Sequence, residues 1–237
     1  MSKTSWLAHR PIAHRGLHDE RYPENSIPSF IEAVRHNYPI ELDVQLSSDG
    51  EIVVFHDYNA FRMTGVAYNI AHVSYAELSL LRLKNTEYCI PTLEQVLQVV
   101  DRRVPLLIEI KNEGRPGCLE ELLCHRLENY RGEFAIQSFN PFALRAIKNI
   151  RPNFITGQLS KSFEDKTFIK RIILRNCWLN FLSKPDFVSY RLDDITPKIV
   201  NKAKSRGLII CWTVKTEQDR KKAMKYCDNY IFERIRP

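Results

Sequence analysis

The chain has 237 residues, of which 44% are hydrophobic, which is enough to bury the core of one domain. It has no run of about 18 apolar residues, so no transmembrane helix is predicted. The N-terminal stretch MSKTSWLAHRPIAHRG lacks the apolar segment of a signal peptide, so we expect a cytoplasmic protein. The net charge of +7 lies mostly in the second half of the chain. We expect these positive charges to lie on solvated helix faces. The alternative is that they attract anionic lipid or phosphate-bearing substrates. We expect no nucleic acid partner.

Cysteine and glycine usage excludes several classes of protein. The six cysteines are scattered without a CxxC pair, which favours reduced core thiols over disulfides or a structural zinc site. The chain has only eight glycines and no GxGxxG motif, so neither a dinucleotide-binding fold nor a P-loop is indicated.

Short apolar segments alternate with helical patterns along the whole chain. The predicted strands are 11–14, 40–46 with a hairpin partner at 52–56, 105–111, 134–138, 155–159, 187–191, 208–214 and 230–232. The helices between them begin at N-cap residues, namely Asn25 or Ser26, Thr92, Asn140, Thr196 and Thr216. Eight such units predict a parallel, eight-stranded (β/α)8 TIM barrel. We expect a single domain over residues 1–237, with the hairpin as a short extension after strand 2.

The second predicted strand carries an unusual pair of charges. In ELDVQLSSDGEIVVFHD, Glu41 and Asp43 are two residues apart and therefore point to the same side of the strand. Flanking Ile40, Leu42 and Val44 indicate that the strand is buried. Two buried carboxylates side by side repel unless a cation lies between them, so a metal ion is the simplest expectation.

Other reactive side chains lie at the ends of neighbouring predicted strands. In a barrel, residues at the carboxyl ends of the strands form the active site. At these ends the sequence places His14, Arg15, Glu41, Asp43, His56, Glu109, Lys111 and Trp212. Each of them alone is more often an ordinary polar residue. Their convergence at one barrel mouth would be far more specific.

The order of motifs IAHRG, PENSIPSFIEAV, IELDVQLSSDGEIVVFHD, PTLEQVL, LLIEIK, QSF and CWTV resembles the glycerophosphodiester phosphodiesterase family. The resemblance spans nearly the whole chain and is densest over residues 12–57. It implies a (β/α)8 barrel that uses one divalent cation, Mg²⁺ or Ca²⁺, to hydrolyse small glycerophosphodiesters to glycerol 3-phosphate and an alcohol.

The same resemblance implies roles for individual residues. Carried over, the metal ligands are Glu41, Asp43 and Glu109, the acid–base pair is His14 and His56, and the residues that hold substrate are Arg15, Lys111 and Trp212. The residue types suit the reaction, because an anionic diester needs charge neutralisation, a base and an acid.

Two departures from the family pattern stand out. The segment after the HD motif, about residues 58–90, is short and contains little glycine. The resemblance therefore does not predict how this segment would cover the substrate. The closing motif reads FERIRP, with Glu233 near the expected acid, which leaves the role of Glu233 open.

Several alternatives remain at this level. One is a lysophospholipase D or a phospholipase C-like enzyme on lipid substrates, and a more distant one is a phosphate-binding barrel without catalysis. The apolar and basic stretch 165–182 predicts an outer barrel helix, with a membrane-surface helix as the alternative.

Overall fold

Eight parallel strands close into a barrel in the computed structural model, which describes residues 5–112, 114–164, 177, 179–204 and 207–237. The barrel strands are β1 Ile12–Ala13, β2 Ile40–Leu46, β4 Leu106–Ile110, β5 Phe134–Ser138, β6 Thr156–Ser160, β7 Phe187–Arg191, β8 Leu208–Val214 and β9 Asn229–Phe232. Pairing of Ala13 with Ile40, and of Ile12 with Ile231, closes the ring. Strand β3, Ile52–Val54, pairs antiparallel with β2 outside the ring. The predicted TIM barrel with a hairpin after strand 2 is confirmed.

At each of the five places where the sequence indicates a cap residue, a helix begins directly after it. Their bounds are α1 Trp6–His9, α2 Ile27–Arg35, α3 Phe61–Thr64, α4 Tyr75–Leu78, α5 Leu93–Val100, α6 Cys118–Glu128, α7 Pro141–Ile150, α8 Asn180–Ser183, α9 Pro197–Lys204 and α10 Glu217–Tyr226. Side chains of Ser26, Thr92, Asn140 and Thr216 accept backbone N–H groups at four of these starts. Ser26 rather than Asn25 caps α2. Most of the predicted helix 165–182 lies outside the described residues.

Apolar side chains fill two layers of the barrel. The outer layer packs strand residues such as Leu42 and Val44 against the inner faces of the helices. The inner layer fills the amino end of the barrel, where Phe187 and Ile210 lie against Trp6 of α1. Phe187 occupies this space because Gly157 has no side chain. A Cβ at that position would lie 2.1 Å from the Phe187 ring.

The short segment after the HD motif has a core of its own. Its buried side chains are Ala60, Met63, Ile70, Leu78, Leu83 and Ile90, packed against Val53 of β3 and Phe55, which precede the motif. The segment therefore forms a packed wall beside the carboxyl end of β2, although it is short. Among the described residues, no helix has both the length and the apolar character needed to cross a bilayer.

Candidate active site

Three carboxylates converge at the carboxyl end of the barrel because of strand register. On β2 the side chains of Leu42 and Val44 face the outer core, so Glu41 and Asp43 point into the barrel. Asp43 is paired in register with Glu109 on the adjacent strand β4. The three side chains are buried, and one oxygen of each lies within 4.8 Å of the others. The geometry expected from the two-residue spacing is present.

Burial makes this cluster unfavourable without a counter-charge. Burial raises the pKa of Glu41 well above its usual value, and the charges of Asp43 and Glu109 raise it further. Burial likewise raises the pKa of Glu109 to about 7, although Lys111 opposes the rise. One oxygen of Asp43, Oδ1, is buried without a hydrogen bond from any described residue. A buried carboxylate oxygen without a hydrogen-bond donor, beside two other carboxylates, is suited to coordinate a cation.

Asp43 stays ionised because cationic groups surround it. Burial alone would raise its pKa, but Arg15, His56 and Lys111, together with a hydrogen bond from Asn25, lower it below the usual value. Arg15 Nε lies 3.3 Å from Asp43 Oδ2, and Lys111 Nζ lies 3.8 Å from Oδ1. Asn25 Nδ2 donates to Oδ2 at 2.9 Å. Asn25 thus supports the carboxylate cluster directly.

His14 follows β1 and is held from behind by Glu233. Its Nδ1 lies 2.7 Å from Glu233 Oε2, and Lys215 Nζ lies 2.8 Å from the other oxygen of the same carboxylate. Burial would raise the pKa of Glu233, yet its hydrogen bond with His14 and the neighbouring cations lower it far below the usual value. Burial lowers the pKa of His14, so a neutral imidazole faces the cleft.

His56 also lines the cleft and is held by the residue that follows it. Its Nδ1 is 2.6 Å from Asp57 Oδ1, and Arg62 Nε is 2.5 Å from Asp57 Oδ2. Arg62 also contacts Glu24 at 2.7 Å, and Glu24 contacts Arg15 at 2.6 Å. A chain of ion pairs therefore connects Asp57, which holds His56, with Arg15 beside the carboxylate cluster.

A cleft of about 790 Å³ opens between these groups. Its lining includes the polar side chains of His14, His56, Glu41, Glu109 and Lys111. It also includes the apolar side chains of Phe139, Pro141, Phe142, Leu159, Phe163, Leu179 and Trp212, with Lys161 over the Phe139 and Phe163 rings. Trp212, which the sequence predicts at this mouth, donates from Nε1 to the Ser189 carbonyl and stacks edge-on with Phe139.

Some residues of the site carry no clear signal in the sequence. Glu24 belongs to the PEN block and Phe139 to QSF, so motif matching alone could have included them. Arg62 and His18 give no such signal, because Glu24 and Glu233, which they contact, are 38 and 215 positions away along the chain. Only the folded chain brings these charges together.

Comparisons with known proteins agree with this geometry. The glycerophosphoryl diester phosphodiesterase family model matches residues 14–231. A glycerophosphodiester phosphodiesterase from Caldanaerobacter subterraneus subsp. tengcongensis is 30% identical, covering 90% of this chain and 89% of its own. An Oleispira antarctica phosphodiesterase, solved in complex with the product sn-glycerol-3-phosphate, has a TM-score of 0.81 at 22% identity, covering 95% and 93% of the two chains. A glycerophosphodiester phosphodiesterase from Parabacteroides distasonis has a TM-score of 0.77 at 24% identity, with coverage of 94% and 92%.

Proposed function

Since the chain belongs to the glycerophosphoryl diester phosphodiesterase family, we propose that it hydrolyses glycerophosphodiesters to glycerol 3-phosphate and an alcohol with the help of one divalent cation. One observation carries the proposal. Three buried carboxylates and two histidines from different strands and loops meet at a single cleft. In TIM-barrel enzymes the active site lies at the carboxyl end of the strands, as this cleft does.

The carboxylates Glu41, Asp43 and Glu109 would hold the cation. An all-oxygen set favours Mg²⁺ or Ca²⁺ over zinc, and the unsatisfied Asp43 Oδ1 supports a ligand role. The cation, when bound, would neutralise charge on the phosphoryl oxygens. Its charge would also remove the repulsion that raises the pKa of Glu41 and Glu109.

Arg15 and Lys111 would bind phosphate oxygens of the substrate. Both line the cleft, and each forms an ion pair with one of the carboxylates. A bound cation would compensate the carboxylates and leave the two side chains free to contact a phosphodiester. Arg15 offers a planar fork of donors, whereas Lys111 offers a point charge. We propose Trp212 as an apolar contact for the organic part of the substrate.

His14 and His56 would divide the proton transfers. Each has its Nδ1 against a carboxylate, which leaves Nε2 as the nitrogen for chemistry. His14, kept neutral by burial, suits the base that takes the proton of the attacking nucleophile. His56 would donate a proton to the leaving alkoxide. Burial lowers the pKa of His56 as well, and the negative charge of a bound diester would favour its protonated form.

A lysophospholipase D activity is a second candidate, because the cleft lining includes several large apolar side chains. Phe139, Phe163 and Leu179 would suit an acyl chain better than a small polar alcohol. The two activities act on the same phosphodiester bond and differ in the organic part that the cleft accepts. Lysophosphatidic acid rather than glycerol 3-phosphate would then be the phosphorylated product.

The experiment is a product assay on purified protein. It measures release of glycerol 3-phosphate from several glycerophosphodiesters and of lysophosphatidic acid from lysophosphatidylcholine. We expect chelation to abolish turnover and Mg²⁺ or Ca²⁺ to restore it. Glu109→Gln should be inactive at the same metal concentration, while His125→Gln, a change at an exposed histidine on α6, should be fully active. Full turnover after exhaustive chelation would refute metal dependence, and release of neither product would refute the proposed function.

A further inference from the structure

A second group of potential metal ligands lies behind the cleft. His14, His18 and Glu233 each bring one donor atom within 4.8 Å of the other two. His14 lines the cleft, but neither His18 nor Glu233 does. The group is therefore separated from the carboxylate cluster by the imidazole of His14. It lies between the loop that follows β1 and the end of β9.

The donor atoms differ in kind from those of the carboxylate cluster. They are imidazole nitrogens and a carboxylate oxygen, and Glu233 Oε2 lies 2.7 Å from His14 Nδ1 and 3.8 Å from His18 Nε2. Tetrahedral Zn²⁺ with bonds of about 2.0–2.2 Å separates its ligands by about 3.3–3.6 Å. Small side-chain shifts would thus produce the required spacing. Two imidazoles and one carboxylate select a transition-metal ion over Mg²⁺ or Ca²⁺.

His18 supplies a second, independent observation. Its Nε2 is buried and has no hydrogen-bond partner among the described residues. The nearest carboxylate oxygen, Glu233 Oε2, lies 3.8 Å away, beyond hydrogen-bond distance. A buried ring nitrogen without a partner is unfavourable. Coordination of a metal ion would satisfy it.

Positive charges nearby limit the affinity but do not block the position. Lys215 Nζ contacts Glu233 Oε1, which is not the oxygen facing the histidines, and its side chain is 47% exposed. The Arg234 Nε lies 3.8 Å from the same Oε1. Arg15 also follows His14 in sequence and opposes a positive charge on it. Lys215 can therefore stay in place while Oε2 binds a metal ion.

We propose that His14, His18 and Glu233 form an inhibitory site for a transition-metal dication, Zn²⁺ in particular. A neutral imidazole has one lone pair in the ring plane. When a metal ion takes the lone pair of His14 Nδ1, the ring proton must be on Nε2, and this nitrogen cannot accept another. His14 then no longer acts as a base. The inhibitory effect rests on the proposed function, whereas the binding does not.

The test adds ZnCl2 to protein saturated with a large excess of Mg²⁺, so that the carboxylate cluster is occupied. We expect Zn²⁺ to lower kcat/KM, and His18→Gln to raise the half-inhibitory concentration of Zn²⁺ by about tenfold or more, since loss of one ligand costs at least about 1.4 kcal/mol. His125→Gln serves as the matched control, with no change in that concentration. Equal inhibition of the wild type and His18→Gln would overturn the proposal.

A binding measurement separates this idea from the proposed activity. Co²⁺ added to the Mg²⁺-saturated wild type should give the intense visible absorption of a tetrahedral site, and His18→Gln should lose it. This readout remains valid even if no phosphodiester is hydrolysed. The absence of such bands in the wild type, together with unchanged turnover in Zn²⁺, would overturn the proposal without relying on any variant that might fold poorly.

Discussion

The two cleft histidines have similar surroundings but different partners. His14 is held by a carboxylate 219 positions away, and His56 by the carboxylate of the next residue. Each carboxylate is itself held by a cation, Lys215 for Glu233 and Arg62 for Asp57. Such carboxylate–histidine pairs fix the ring and its tautomer. These pairs therefore fix the orientation of both imidazole rings.

The proposed division of labour between these histidines predicts a dependence on the leaving group. His56→Ala should lose most kcat/KM on a natural glycerophosphodiester, about 10²–10⁴-fold, because an alkoxide needs a proton to leave. It should lose much less on a nitrophenyl phosphodiester, whose leaving group is stable as an anion. His14→Ala should fail on both substrates, because both need the nucleophile to be activated.

The measurement is kcat/KM of both variants on both substrates with metal saturating. If the nitrophenyl substrate rescues His14→Ala instead, the two roles are reversed. If it rescues neither, the acid–base division is wrong for this protein.

Among individual residues, the sequence predicts the relative direction of side chains that lie close together on one strand. Glu41 and Asp43 are two apart on one strand, and Glu109 and Lys111 are two apart on another, so their shared direction follows from strand geometry. The partnership of Glu24 with Arg62, or of His14 with Glu233, depends on where loops fold back. Loop sequences have no periodic pattern from which the direction of their side chains could be predicted.

Among the elements, the barrel strands are the best predicted. Strand β2 ends at the predicted residues, because its apolar residues alternate with polar ones at the two-residue period of a strand. Strand β1 is shorter than expected, since only Ile12 and Ala13 pair with β9 and only Ala13 pairs with β2. The segment 58–90 could not be predicted in detail. Its short helices α3 and α4 are stabilised by a small local core rather than by a long amphipathic pattern.

Glu24 connects two of these elements, and this predicts a pH-dependent contribution to stability. It lies in the loop before α2 and pairs with Arg62 of α3 and with Arg15 after β1. Burial opposes its ionisation, but hydrogen bonds and charges of both arginines lower the pKa of Glu24 to about 2. Since the unfolded value is about 4.3, the stabilisation is complete above that pH and is lost as the pH falls toward 2.

Glu24→Gln should therefore lower the free energy of unfolding at pH 7 by about 1–2 kcal/mol, allowing for solvent around the half-exposed Arg62. The gap to wild type should narrow between pH 5 and pH 3. Urea unfolding at several pH values measures it. Glu217→Gln, which removes an exposed pair with Arg220 on α10, is the control and should match wild type throughout. A gap that does not change with pH would mean that Glu24 contributes by shape rather than by charge.

For the whole molecule, the alternation of strands and helices is sufficient to predict the barrel, and the barrel predicts where the site lies. The single-domain organisation over residues 1–237 and the cytoplasmic location stay predictions, as does the choice between Mg²⁺ and Ca²⁺. The sequence could not predict that Phe139, which follows β5, would line the cleft together with Phe163 and Leu179, which both follow β6, because none of the three belongs to a periodic pattern.

The carboxylate cluster connects function to the stability of the whole barrel. Without a cation, burial and the charge of Asp43 disfavour ionised Glu109, and Lys111 offsets only part of this cost. Glu109→Gln should therefore keep the metal-free melting temperature or raise it by about 2–4 °C, which corresponds to about 1 kcal/mol for a chain of this size.

Added Mg²⁺ or Ca²⁺ should favour the wild type over Glu109→Gln in thermal stability. It should raise the melting temperature of the wild type, because a ligand that binds only the folded state stabilises it, and it should do so much less in Glu109→Gln. Thermal unfolding with chelator and with excess metal gives all four values, and Glu217→Gln should behave as wild type in both conditions. A clear drop in the metal-free melting temperature of Glu109→Gln would instead show that its ion pair with Lys111, at 3.0 Å, stabilises the barrel more than the neighbouring carboxylates destabilise it.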